Sequence, residues 1–288
     1  MQLSFKRLGT LLCVCVWLFS PYPSYSTPFI VEVSTLELKS KSLGVYFRPS
    51  NLELGKDGLY ISEASNHRIL KLNLTNFQLE LMAGPGGDCG SGFEFNKNQK
   101  CMGYKDDTPT SSGFNFPRGV AFDPEGNLYV ADSGNNSIRK ITQHKVSTVA
   151  GHGPAEKVFL PTSPFLETLP SFMEGPLSIA LFDAPIDLVM DPQGNMYITD
   201  SRNYRIRKIT PYGYVMTIAG TGEAGYRDGV GLEAKFAFLN RLIMDPQGNL
   251  YVLERHRIRK ITPDGYVSTI AGNVTSGFLD GLAHEAQF

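Results

Sequence analysis

Four acidic side chains recur at equivalent positions along the chain, and a ring of carboxylates could bind calcium. Ca²⁺ prefers oxygen ligands, so calcium is the one cofactor that the sequence suggests. A feature repeated once per unit is more often architectural. We therefore expect each carboxylate to accept hydrogen bonds from the turn that follows it, or to pair with an arginine such as Arg139 or Arg207. The four acids are Glu63, Asp132, Asp200 and Glu254.

The histidines and cysteines do not form a recognisable catalytic or metal-binding set in the sequence. Of the five histidines, His67 and His256 fall at related positions, just before a basic segment, where we expect outer locations. They supply no third ligand for a catalytic zinc ion. Cys89 and Cys101 lie in one Gly- and Asn-rich stretch, close enough to form a disulfide in an oxidising compartment, with two free thiols as the alternative. We predict no catalytic residues.

A repeated unit must position these side chains. Residues 123–132 (DPEGNLYVAD), 191–200 (DPQGNMYITD) and 245–254 (DPQGNLYVLE) nearly superimpose, and residues 56–63 (KDGLYISE) are a shortened copy. A basic segment follows each copy, for example residues 205–210 (RIRKIT). Internal repeats of this length are typical of propellers and related arrays.

Each repeat predicts four short antiparallel strands. A short apolar run precedes the Asp-Pro-x-Gly-Asn turn, in which Pro presets φ and Gly adopts the left-handed conformation. Leu-Tyr-Val forms a second strand, and Ile-Arg-Lys-Ile, which mixes apolar and basic residues, predicts a third strand. Residues 214–219 (YVMTIA) give a fourth strand. Four antiparallel strands per repeat make a propeller blade.

The pattern resembles the NHL repeat. Besides the segments above, residues 225–229 (GYRDG) and 277–281 (GFLDG) match its opening motif, and the resemblance covers about residues 48–288. It implies an all-β fold, a β-propeller of four-stranded antiparallel blades. Four blades are visible where such propellers usually have about six, so we expect an incomplete six-bladed propeller. The alternatives are a four-bladed ring closed with help from residues 28–47, or open blade edges that pair with another chain in self-association.

The expected division of the chain follows from the repeat. Residues 1–26 read as a signal peptide, residues 27–47 as an N-terminal extension that could add a strand closing or capping the propeller, and residues 48–288 as the propeller. The chain stops at Phe288, three residues short of where the Pro of a next blade would stand, and a truncated gene product is the interpretation that we favour. The expected blades span about residues 48–116, 117–184, 185–238 and 239–288.

Positions at which the blades differ are the better candidates for binding. The family places Gly early in the innermost strand, where this sequence has Asn51, Gly119, Asp187 and Arg241. The resemblance implies that these side chains, with the neighbouring Arg118 and Asn240, face the central channel or its mouth. A mouth of mixed charge could hold a small polar ligand or a carboxylate. Solvated polar groups that line a wet channel are the alternative.

The N-terminus predicts export. Lys6 and Arg7 precede an apolar run of 12 residues, which is too short to span a bilayer, and Ser24 and Ser26 offer small residues before a cleavage site after Ser26. A secreted or periplasmic protein is expected, with an uncleaved anchor as the alternative. The formal net charge of −1 gives no general attraction to nucleic acid or to an anionic membrane, so neither is an expected partner.

The predicted function is that of an exported, non-catalytic scaffold that binds a protein or glycan partner. It rests on an intact blade signature without a recognisable catalytic set. The alternative is a channel-centred, metal-dependent hydrolase or lyase, since some propeller lyases with similar blades use histidines as zinc ligands. Fold alone does not decide between them.

Overall fold

A computed structural model describes residues 49–86, 102–151, 153, 171–273 and 275–288, and the backbone of a few short strands elsewhere. The backbone strands Gln2–Leu8, Leu11–Trp17 and Ser34–Leu36 pair in one antiparallel sheet, and Lys157–Val158 pairs with Glu167–Thr168. The predicted cleavage site after Ser26 and the predicted Cys89–Cys101 disulfide lie outside the described residues.

Four antiparallel sheets, which we number as blades 1 to 4, carry the repeats. In each blade the strands pair in sequence order, first to fourth. Blade 1 consists of Asn51–Gly55, Gly58–Glu63, Arg68–Leu72 and Leu79–Ala83. Blade 2 consists of Pro117–Phe122, Leu128–Asp132, Ser137–Ile141 and Val146–Ala150.

Blades 3 and 4 each gain a short fifth strand from the segment that precedes the blade. Blade 3 consists of Pro185–Met190, Met196–Asp200, Arg205–Ile209 and Tyr214–Ala219, with Gly175–Pro176 added beside its fourth strand. Blade 4 consists of Leu239–Met244, Leu250–Glu254, Arg257–Ile261 and Tyr266–Gly272, with Gly229–Val230 added in the same way.

The Asp-Pro-x-Gly-Asn turns are fixed by their own aspartates. In blade 3 the Asp191 carboxylate accepts hydrogen bonds from the backbone N–H of Gln193 and Asn195 and from the Asn195 side chain, at 2.7 to 3.0 Å. Gly194 sits at φ 82°, in the left-handed region. The turn therefore has the conformation that its residue types predict.

The cores lie between successive blades. Phe114, Phe182 and Phe236, one before each of blades 2 to 4, are almost fully buried in three apolar clusters that join neighbouring blades. A fourth cluster lies within blade 1 and includes Leu70, at the position that a buried arginine occupies in the other blades.

The first strands of blades 1 to 4 pack against one another in order around the centre of the molecule. Blade 4 reaches back to blade 1 through Arg241, which donates to the Ser50 carbonyl. The predicted all-β architecture of four-stranded antiparallel blades is confirmed. In the described part of the chain the helical turns are short 3₁₀ turns, and no helix there is long and apolar enough to cross a membrane.

Candidate functional site

Three of the predicted mouth residues meet at the centre, although they come from three different blades. Asn51 Nδ2 donates to Asp187 Oδ1 at 2.8 Å, and Arg241 Nη1 lies 3.8 Å from Asp187 Oδ2. All three occupy the start of a first strand, so the packing of those strands brings them together. The structure thus joins blades 1, 3 and 4 through side chains that differ from blade to blade.

Asp187 is the hub of this cluster. Its side chain is 6% exposed, and its carboxylate also accepts from the backbone N–H of Leu188 at 3.1 Å and of Leu242 at 3.0 Å. Burial raises the pKa of Asp187 to about 6, while Arg241 and the hydrogen bonds oppose that shift. Gly119 makes room for the carboxylate, since a Cβ atom there would stand 2.5 Å from Asp187 Oδ1.

Two arginines face the mouth beside this hub. Together with Ser50, Ile186, Asn240 and Leu253, Arg118 and Arg241 line a cavity of about 230 Å³. Burial, and then the charge of Arg241, lower the pKa of Arg118. Among the described residues, no hydrogen bond or ion pair engages the Arg118 guanidinium, and Asn240 is exposed at the rim. The mouth therefore presents one uncommitted cation next to a second that is held by Asp187.

Glu53 belongs to the same region and was missed by the sequence reasoning. Burial, and then repulsion from Asp187, raise the pKa of Glu53 to about 7. Near neutral pH its charge is therefore partly removed, which leaves the two arginines less compensated. Its place two residues after Asn51 on a first strand was the signal available in the sequence, because side chains with period two share a face.

The four repeated carboxylates lie in the blades, each against an arginine of its own third strand. Their side chains are fully buried, and each also helps to fix a neighbouring turn, as Asp132 does by accepting from Asn135 Nδ2 at 2.8 Å. Burial raises the pKa of Asp132 and of Asp200 to about 6. The pairs are Glu63–Arg68 at 2.7 Å, Asp132–Arg139 at 2.8 Å, Asp200–Arg207 at 2.9 Å and Glu254–Arg259 at 2.7 Å.

A second acid reaches the same arginine from the segment before the blade. Asp106 accepts from Arg139 Nη2 at 2.7 Å and from the Thr148 backbone at 2.9 Å, and Asp228 does the same with Arg259 and Thr269. The sequence reasoning did not assign these acids a role. The Asp of the 225–229 motif was the signal that could have revealed one of them.

His67 is buried between blades 1 and 2, not at the outer location that the sequence predicted. Its Nδ1 accepts from the Phe116 backbone N–H at 3.0 Å, and its Nε2 has no hydrogen-bond partner among the described residues. Burial lowers the pKa of His67 to about 4. Asn136 holds the corresponding place in blade 2, between the second and third strands, and its side chain accepts from Ala184 N–H at 2.9 Å. In the part of the chain that is described, no group of three His, Cys, Asp or Glu is placed to hold a metal ion.

Blades of this kind, gathered around a central mouth, define a β-propeller, and comparisons with known proteins agree. The family model of the NHL repeat matches residues 114–141, which contain the first three strands of blade 2. A crystallised protein of unknown function from Bacteroides thetaiotaomicron superimposes with a TM-score of 0.59 at 20% identity, over 92% of this chain and 55% of that one. That likeness shows a shared fold.

Sequence relatives carry the same signature within much longer proteins. The chain is 28% identical over 226 residues to Protein SUPPRESSOR OF QUENCHING 1, chloroplastic, of Arabidopsis thaliana, and 27% identical over 235 residues to Teneurin-m of Drosophila melanogaster. The matches cover 76% and 74% of this chain but 19% and 8% of those proteins. The predicted NHL-repeat resemblance is thereby confirmed.

Proposed function

We propose that this protein is an exported, non-catalytic binding module, and that its channel mouth takes a carboxylate group of a protein or glycan partner. The Arg118 guanidinium carries the proposal, because it faces the mouth without an ion pair among the described residues. Export is supported by the signal-peptide pattern of residues 1–26.

The charges around the mouth favour an anion. Two guanidinium groups share the cavity, and burial, followed by the charge of Arg241, lowers the pKa of Arg118. Like charges held together are relieved when an anion binds between them. Arginine suits a carboxylate because its planar donors match the two oxygen atoms. The Asp187 carboxylate is occupied by its own hydrogen bonds and leaves Arg118 for a ligand.

The size of the cavity limits what enters. About 230 Å³ lies below the 300–1,000 Å³ that is usual for drug-sized ligands, so a single carboxylate-bearing unit fits better than a whole compact ligand. A uronate residue of a glycan and an acidic side chain of a protein both meet this requirement. The rest of such a partner would lie on the loops around the mouth.

The test is a titration of the folded protein with three probes of similar length: an oligogalacturonate, an oligoglutamate peptide and a neutral oligosaccharide. We expect one of the two anionic probes to bind and the neutral probe not to bind, with affinity that falls as salt rises, because the rim is exposed to solvent. The probe that binds separates a glycan partner from a protein partner. Equal binding of the neutral probe, no binding of either anion, or turnover of a bound probe would contradict the proposal.

A further inference from the structure

A larger cavity lies away from the mouth, in the groove between blades 3 and 4. Its volume is about 670 Å³, within the range of typical small-molecule sites. We name it the blade 3–4 groove. Apolar side chains form most of its walls, and the Asp-Pro-Gln-Gly turns of both blades form its rim. The apolar lining residues are Val189, Met190, Ile218, Met244, Leu250 and Ile261.

The strand register sets the wall on the blade 3 side. Val189 pairs with Tyr197, and Tyr197 pairs with Lys208, across the first three strands. Directly opposed residues of antiparallel strands point to the same face. One wall therefore runs from an aliphatic side chain through an aromatic ring to an ammonium group, with Lys208 Nζ 5.3 Å from the centre of the Tyr197 ring.

The equivalent space between blades 1 and 2 is filled by two aromatic rings. Phe122, the last residue of the first strand in blade 2, packs edge-on against Tyr60 with ring centres 4.8 Å apart, and Met244 holds that position in blade 4. In blade 3, Leu177 covers the outer turn, 3.2 Å from where a Cβ atom of Gly213 would lie. The corresponding Gly265 of blade 4, which lines the groove, has nothing within 4 Å of that point.

The two carboxylates at the rim are already committed. Asp191 accepts four hydrogen bonds, from the Gln193 and Asn195 backbone, the Asn195 side chain and the Tyr197 hydroxyl. Asp245 accepts the same four from its own turn and from Tyr251. A carboxylate offers about four lone-pair sites, so neither aspartate has hydrogen-bonding capacity left for a donor group of a ligand.

Lys208 is the charged group of the groove that remains available. The lysines at its position in blades 1 and 2 have carboxylate partners, since Lys71 lies 2.5 Å from Asp57 and Lys140 lies 3.6 Å from Asp123. No ion pair reaches Lys208 from any part of the chain that the structure describes. Its ammonium group therefore brings donors to the side of an apolar cavity.

We infer that the blade 3–4 groove binds a small amphipathic carboxylic acid, with the aliphatic body on Val189, Met190, Ile218 and Met244 and the carboxylate on Lys208. The apolar walls would contact the aliphatic part of the ligand, and the Lys208 ammonium group would bind its carboxylate. This site is separate from the channel mouth and does not depend on the function proposed there.

Decanoate, below its micellar concentration, is the probe that tests the inference. Decanol and decyltrimethylammonium have the same chain but no charge or the opposite charge. We expect decanoate to bind the full chain at least tenfold more tightly than either, and Lys208→Met to abolish that preference. Lys140→Met is the matched control, since Lys140 has the same strand position and keeps its own carboxylate partner; it should leave the preference unchanged.

The place of binding is read separately, from the NMR signals of ¹³C-methyl methionine. Decanoate should shift Met190 and Met244 and leave Met82, in blade 1, in place. This readout uses the unaltered protein, so it holds even if a variant folds poorly. Tighter binding of decyltrimethylammonium, equal binding of decanol, no binding of decanoate, or shifts at Met82 alone would each overturn the inference.

Discussion

The third strands of the blades and the starts of their first strands behave differently along the chain. In blades 2 to 4 the third strand carries the same buried arginine against the same acidic position, whereas the four equivalent mouth positions hold Asn51, Gly119, Asp187 and Arg241. The repeated pairs are fully buried inside the blades, whereas the variable positions lie near the start of the first strands, around the mouth. The difference separates side chains that build the blades from side chains that can recognise a ligand.

The loss of stability on substitution explains why the buried pairs repeat while the mouth residues vary. Neither partner of a buried ion pair is easily substituted, because removing one leaves an uncompensated charge in a low dielectric. The loss in the free energy of unfolding is about 3–5 kcal/mol. Arg118, which lies at the mouth without an ion pair among the described residues, can change at little cost to stability. Blade 1 keeps the ion pair but takes its arginine from another position. Leu70 stands where the other blades have the arginine, and Arg68 pairs with Glu63 instead.

The largest expected effect comes from breaking a repeated pair. Arg207→Gln leaves the fully buried Asp200 carboxylate without its charged partner. We expect a loss of about 3–5 kcal/mol in the free energy of unfolding, measured with urea. Arg202→Gln in the same blade is the matched control. Arg202 is 74% exposed and pairs with Asp183 at 3.6 Å, so its loss should be under about 1 kcal/mol. Equal losses for the two variants would break the comparison.

The pH dependence of stability distinguishes blade 1 from blade 2, because blade 1 has His67 where blade 2 has Asn136. The folded protein holds the pKa of His67 near 4, below the ordinary value of 6.5. As pH falls below 6.5, the unfolded chain takes up a proton that the folded protein does not, so stability should drop by about 3 kcal/mol by pH 4.

His67→Asn should remove this dependence, because an asparagine Oδ1 can accept from Phe116 N–H as Asn136 does from Ala184. The measurement is the difference in unfolding free energy between the variant and the unaltered protein at pH 7 and pH 4. Buried carboxylates such as Asp132 titrate in both proteins and cancel in that difference. A difference that stays constant with pH would contradict the buried, neutral histidine.

A smaller effect is expected at the hub of the mouth. Asp187→Asn places an amide N–H₂ group against donors that the carboxylate now accepts, and we expect a loss of about 1–3 kcal/mol in urea unfolding. The same change frees Arg241 and should tighten binding of an anionic probe. Asp183→Asn, at a surface pair, is the control. Weaker anion binding in Asp187→Asn would contradict this expectation and would show that the carboxylate is needed to hold Arg241 in place.

Much of the blade could be predicted from sequence, because local rules act within a few residues. The Asp-Pro-x-Gly-Asn turn determines the hairpin between the first two strands, and Ile-Arg-Lys-Ile was correctly placed in the third strand. His67 was misplaced because its burial depends on Phe116, which lies 49 residues further on. No local pattern shows that contact.

The candidate site was predictable only in part. Alignment of the repeats brought Asn51, Asp187 and Arg241 to one level, and they do meet in space. Glu53 was missed because its raised pKa arises from burial beside Asp187, a residue of another blade. The blade 3–4 groove was missed because it is a space left open beside Met244 and Gly265. Whether such a space is filled depends on residues distant in sequence, which no local pattern shows.

The most direct test of the central claim is a titration of Arg118→Gln with the anionic probe that binds the unaltered protein, with urea unfolding measured on the same sample. The account predicts that unfolding changes by less than about 0.5 kcal/mol while affinity falls about tenfold, since a hydrogen bond to a charged group is lost. Arg202→Gln should change neither quantity appreciably. Unchanged affinity in Arg118→Gln would contradict the claim that the side chains that differ between blades are the ones that bind.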